Sequence, residues 1–272
     1  MGGVAASGAH RIRERRGFIA ACAMSADSAP VPTPAPLPEP APGSIHFFTL
    51  LYSPRERRVA LRTLLALADE IGAGVGRQLD HGVAHLRLDW WRREAQRLAA
   101  GSPAHPWLIA WQRERFPPLD LAALIDAAAI DLASERLAAS GTQRLPQALF
   151  VLAATVLAAD TSAAALVPQQ RDLIAALGRS VDTLEHPQVA RTGQPDSAQR
   201  LRLDPALQRA LAPLLVWAAL AACHARRRER RATRKSPTMA APVVDGLADN
   251  LIAWQAARTA RRGYFRLEDL QT

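Results

Sequence analysis

Lysine is almost missing from this chain: Lys235 is the only one, and arginine supplies the rest of the 34 cationic side chains. With 25 acids the formal charge is +9. An Arg- and Ala-rich skew is also what a GC-rich coding sequence produces, so the type of cation says little and its placement says more. Aromatic residues make up only 5% of the chain, which leaves Leu and Ala to build the core. β-Branched residues are sparse, and few segments alternate with period two, which argues against a sheet. The two cysteines, Cys22 and Cys223, have neither metal-ligand spacing nor a partner pattern, which removes a disulfide framework. No apolar run reaches the ~20 residues a membrane span needs. The longest, 148–159 and 211–223, read as buried helices, with Cys223 a small core residue. A glycine-rich phosphate loop and a nucleophile elbow are also missing.

What remains is helix-forming material. Ala, Leu, Arg, Glu and Gln all favour helix, and 272 residues suffice for one sizeable core. Residues 1–43 have no helical periodicity and carry a Pro/Ala tract over 29–42, so they read as a disordered tail. Arg15-Arg16 before Gly17–Cys22 has the outline of a twin-arginine or lipoprotein signal, but its apolar stretch is too short. With Met24 as an alternative start, an extended or misassigned beginning is the preferred reading over export. Residues 44–272 form the expected domain. Ser53 as N-cap with Pro54 and Glu56 predicts a helix start, and Leu61, Leu64, Leu65, Ala68 and Ile71 trace its apolar face up to the glycines at 72, 74 and 76. A second helix over 83–99 puts Leu88, Trp91, Ala95 and Leu98 on one side. His105-Pro106 opens a short third helix to Trp111. Further helices are predicted over 119–139, 146–159, 168–184, 205–230 and 244–262, with a polar loop over 190–198. The fold class is all-α, a single bundle.

The order of motifs from Ser44 to Trp111 carries more specific information. An aromatic-rich opening (Phe47, Phe48, Tyr52) is followed by Pro54 and Arg55. A long apolar helix then ends in Asp69-Glu70, and Arg87-Leu88-Asp89-Trp90-Trp91-Arg92 is closed by His105-Pro106. This order resembles the first third of the squalene/phytoene synthase family, strongly over about seventy residues and loosely to residue 235. The resemblance implies a helical bundle of the isoprenoid-synthase type with a central cavity. Members hold Mg²⁺-diphosphate between two aspartate-rich motifs on facing helices and join prenyl diphosphates head to head. In such chemistry clustered carboxylates hold metals that neutralise the leaving diphosphate, and a dry cavity protects the carbocation.

Here the first motif is reduced. Ala66 and Ala73 stand where the family has Arg and a final Asp around Asp69-Glu70. The second is Asp182 and Glu185, i,i+3 neighbours on a helix, with His186 in place of the last acid; His suits hard Mg²⁺ poorly. If the chain is active, Asp69, Glu70, Asp182 and Glu185 are the metal ligands and Mg²⁺ the cofactor; otherwise none is expected. The resemblance puts substrate contacts at Arg58, Trp91 and Arg92. One of Trp90 and Trp91 should fill the core and the other a groove, and Asp89 should pair with Arg93. Asp131 and Glu135 read as structural ion-pair acids near Arg136. Because the family also includes a diverged branch with a complex I assembly factor, the leading expectation is a catalytically impaired protein. It would bind a lipid or isoprenoid, or a protein partner. The alternative is an active Mg²⁺-dependent prenyltransferase. A cytoplasmic location, peripheral to the inner membrane, goes with either. The basic run over 225–235 reads as a solvated helix end or an attraction for anionic lipid. No recognition motif accompanies it, which argues against nucleic acid.

Overall fold

Prolines and short polar caps set the boundaries of this fold, and Leu and Ala fill what lies between. The computed structural model describes residues 36–76, 79–136, 144–159, 166–186, 204–233 and 241–263. All of them belong to one compact unit, Pro34–Thr272. The tail over residues 1–35 with its signal-like segment, Cys22 and Met24, the polar loop over 190–198, Lys235 and the Glu135 and Arg136 side chains lie outside the described residues. Among the described residues there are ten helices and no strand, so the all-α expectation holds. No described helix is long and apolar enough to cross a membrane.

The first helix, α1 (Ile45–Leu51), has no counterpart in the sequence reading. Its seven residues are too few to show a period, and Ser44 starts it by accepting from the Phe47 amide at 3.1 Å. In the next helix, α2 (Arg55–Gly74), Pro54 is the cap. The expected cap, Ser53, turns its hydroxyl back to donate to the Thr49 carbonyl at 2.7 Å. Asp80 caps α3 (His81–Ala99), and Gly101 follows it at φ +77°, a left-handed position that suits glycine. His105 and Pro106 open α4 (Pro106–Arg113) as read. There follow α5 (Leu121–Arg136), α6 (Leu145–Ala158) and α7 (Pro168–Glu185). The segment read as one helix over 205–230 is two: α8 (Pro205–Ala210) and α9 (Ala212–Thr233). Pro213 has no amide to give the Arg209 carbonyl, and its ring crowds that carbonyl, so the helix breaks at Leu211 and restarts. Last comes α10 (Ala241–Arg261).

At the centre, α6 packs on α7, α2 and α5, and α9 packs on α7, α1 and α10. Leu61, Leu64 and Leu67 of α2, Leu124 and Ile125 of α5, Phe150 of α6 and Leu214 of α9 form the main core. A smaller cluster of Phe48, Val216 and Leu220 meets Ala253, Ala256 and Ala257 of α10. The α6–α7 contact is very close: a Cβ on Gly178 would lie 2.8 Å from the Pro146 carbonyl oxygen. Before α1, Arg62 holds the chain down, donating to the carbonyls of Leu37 and Pro38 and pairing with Glu39 at 2.7 Å.

Candidate functional site

The two acidic pairs sit at the C-terminal ends of α2 and α7, and three of the four acids contact a partner within the chain. Asp69 is exposed, yet the protein around its carboxylate raises its pKa by desolvation, against the opposing pull of His46. Glu70 Oε2 lies 3.3 Å from His105 Nε2. Asp182 is only 4% exposed and bonds His186 Nδ1 at 3.1 Å. Burial raises its pKa; His186 pulls it down, and Asp131 and Glu185 push it up. Glu185 accepts from the Trp217 indole N–H at 2.9 Å.

Aromatic rings link the two pairs. His46 packs edge-on against Trp217 with centroids 4.7 Å apart, and Phe150 lies 5.0 Å from the same indole. Asp69, His46, Trp217 and Glu185 therefore form a chain of neighbours across α2, α1, α9 and α7. Mg²⁺ asks for ionised oxygen donors converging on one point. Here burial disfavours the charged form of Asp182, Glu70 lies against His105, Glu185 accepts from Trp217, and rings lie between the pairs. Among the described residues no three His, Cys, Asp or Glu side chains gather as a metal site.

The three residues given substrate contacts are spread out. Arg58 donates to the carbonyls of Leu51 and Ser53, both at 3.2 Å, and so ties down the end of α1. Arg92 pairs with Asp89 at 2.7 Å on the exposed face of α3, taking the place expected for Arg93. Trp91 is buried, while Trp90 is 37% exposed, the division expected of that pair. The Trp91 ring stands 4.9 Å from that of Trp90 and 5.1 Å from that of His105.

His105 is the centre of this second cluster. Its Nδ1 accepts from the Trp107 amide at 3.2 Å, which places the proton of the neutral ring on Nε2, facing Glu70. Trp107 flanks it at 5.2 Å. Beneath it lies Glu94, fully buried, whose Oε1 accepts from the amides of Ala104 and of His105, the latter at 2.8 Å. Arg97 reaches the other oxygen at 3.3 Å. Sequence reasoning missed Glu94. The signal was an acid on the same helical arc as Leu88, Trp91 and Leu98, which only a polar partner makes tolerable. It also passed over His81 and His85, i,i+4 on α3, whose rings stack at 4.6 Å.

Three arginines of the basic run are used inside the molecule, while residues 228–233 are exposed as read. Arg227 bonds Asp249 at 2.6 Å and lies 3.5 Å from Asp245, Arg231 pairs with Asp245, and His224 reaches Asp249 at 3.1 Å. Arg228 donates to the Leu184 carbonyl. Arg227 and Arg231 thus form, with His224, a clamp between α9 and α10. Asp131 also serves the fold, since its two oxygens accept from the Arg144 and Leu145 amides at 2.6 and 2.9 Å, capping α6 from α5. No protein-family model, curated protein or solved structure matches this chain.

Proposed function

We propose that this chain is a diverged, catalytically impaired protein of squalene/phytoene synthase type that acts by binding rather than by condensing prenyl diphosphates. Its fold would be an isoprenoid-synthase bundle with a central cavity. Its ligand is a lipid or isoprenoid, or a protein partner in assembly, and it works at the cytoplasmic side of a membrane. The observation that supports this best is the engagement of the acids: Glu70 with His105, Asp182 with His186 and Glu185 with Trp217. Each of these carboxylates has one oxygen turned to a partner within the chain, and burial disfavours the charged form of Asp182 that a hard cation needs.

The test is incubation of the purified chain with farnesyl or geranylgeranyl diphosphate and Mg²⁺. The expected result is no hydrocarbon and no released diphosphate. A head-to-head hydrocarbon that disappears in Asp69→Asn or Glu185→Gln would overturn the reading and assign an active Mg²⁺-dependent prenyltransferase.

A further inference from the structure

The outward face of α10 is apolar at one end, cationic at the other and free of acids. At about 100° per residue, positions 247, 251, 254, 258, 261 and 262 fall within one arc of about 100°. Leu247, Leu251 and Trp254 on this arc are 69%, 54% and 47% exposed. Arg258, Arg261 and Arg262 complete it, all exposed. The two acids of the helix, Asp245 and Asp249, are turned the other way into the clamp with α9. Among the described residues no carboxylate pairs with the three arginines.

These arginines and Trp254 line an open depression of about 210 Å³ whose far wall is Tyr52, the residue that ends α1. Arg258 lies over the Trp254 ring, 5.0 Å from its centroid. Burial raises the Tyr52 pKa above the ordinary phenol value, and Arg261 nearby opposes that shift, so the hydroxyl keeps its proton as a donor. Phosphate oxygens suit such a set of donors, guanidinium groups above all. A soluble phosphate, however, would have no use for the apolar residues running from the depression toward Leu247, about 22 Å of helix from Arg262. A bilayer surface uses both: phosphates for the arginines, and the headgroup–acyl boundary for Trp and Leu.

We propose that this face of α10, with Tyr52, docks on an anionic phospholipid surface. Arg258, Arg261 and Arg262 hold lipid phosphates while Leu247, Leu251 and Trp254 enter the interface. This rests on the membrane location proposed above and names the docking face, which a catalytic bundle would present as well.

The experiment is co-flotation of the full chain with vesicles of phosphatidylcholine, alone or mixed with phosphatidylglycerol. Binding is expected only to the mixed vesicles and should weaken with salt. Replacing all three arginines (Arg258→Gln, Arg261→Gln and Arg262→Gln) should weaken it about fivefold per residue, on the order of a hundredfold in all. The corresponding triple Lys variant should retain most of the binding, with unchanged circular dichroism showing both are folded. Brominated acyl chains should quench part of the tryptophan emission, and Trp254→Phe should remove that part. The proposal is overturned if the wild type ignores anionic vesicles, if the triple Gln variant binds like wild type, or if inorganic phosphate binds at the depression while vesicles do not. Vesicle binding without prenyl-diphosphate turnover leaves both proposals standing, and a failure in either assay identifies which one is wrong.

Discussion

Glu94→Ala tests the most consequential contact that is absent from the sequence pattern. The carboxylate is fully buried, and it is the acceptor for two amides, those of Ala104 and His105, just before α4. Hydrogen bonds to a charged group contribute about 1.5–3 kcal/mol each, and orphaned buried donors cost on that same scale. Arg97 is half exposed, so its loss adds little. Removing a buried charge returns part of the total as relieved desolvation, which leaves a net loss of about 3 kcal/mol. For a domain of this size each kcal/mol moves the midpoint by about 2–4 °C, so thermal unfolding should fall by roughly 6–12 °C. Glu94→Gln keeps one acceptor and should lose roughly half as much. Both are read by urea titration and thermal melts followed by circular dichroism. A Glu94→Ala protein within about 0.5 kcal/mol of wild type, the range of neutral surface substitutions, would refute the reasoning.

Two further predictions use the same measurements. Gly178→Ala should destabilise by about 1–3 kcal/mol, because its Cβ meets the Pro146 oxygen at 2.8 Å and the Gln147 Cα at 3.1 Å, backbone atoms that cannot step aside. Gly246→Ala on α10 meets nothing within 4 Å and should instead stabilise by up to about 1 kcal/mol; shifts of the same sign would show that α6 and α7 are not in close approach. For Asp182, burial raises the folded-state pKa above the unfolded one, so the folded chain binds the extra proton. Its contribution is intact below the ordinary carboxylate range and is lost as pH rises through the raised value. Asp182→Asn, which cannot ionise, should therefore gain on wild type toward neutral pH and converge with it in acid. A deficit that widens toward neutral pH would show instead that the ionised pair with His186 stabilises the fold.

Local chemistry was readable in advance at several places where one helix or one turn decided the outcome. The arc of Leu88 and Trp91 agrees with the burial of Trp91, although which of the two tryptophans fills the core was left open, and His105-Pro106 foretold the start of α4. Between-helix partnerships were not readable. Nothing in the spacing of Glu70 and His105, or of Arg227 and Asp249, announces that they meet, since helix packing alone brings them together. The 225–235 run is exposed over 228–233 as read, but its pairing with α10 was hidden for this reason: composition counts cations but not the acids that a neighbouring helix will bring to them. The candidate cation surface moved to the end of α10, where Arg258, Arg261 and Arg262 among Ala and Thr look unremarkable in a linear reading. The break at Leu211 was missed although Pro213 was in plain view, because the apolar run continues on either side of it.

The inner side of α10 is a seam of alanines, at 253, 256, 257 and 260. Methyl groups let two helices lie close, yet they interlock too weakly to stop one from rolling against the other. Asp249 and Asp245, gripped by Arg227, Arg231 and His224, act as an indexing pin. Rolling α10 by one residue would tear both acids from their cations and swing Trp254 and the arginines about 100° around the axis. Charges hidden on one side of the helix thereby decide which way its other side faces.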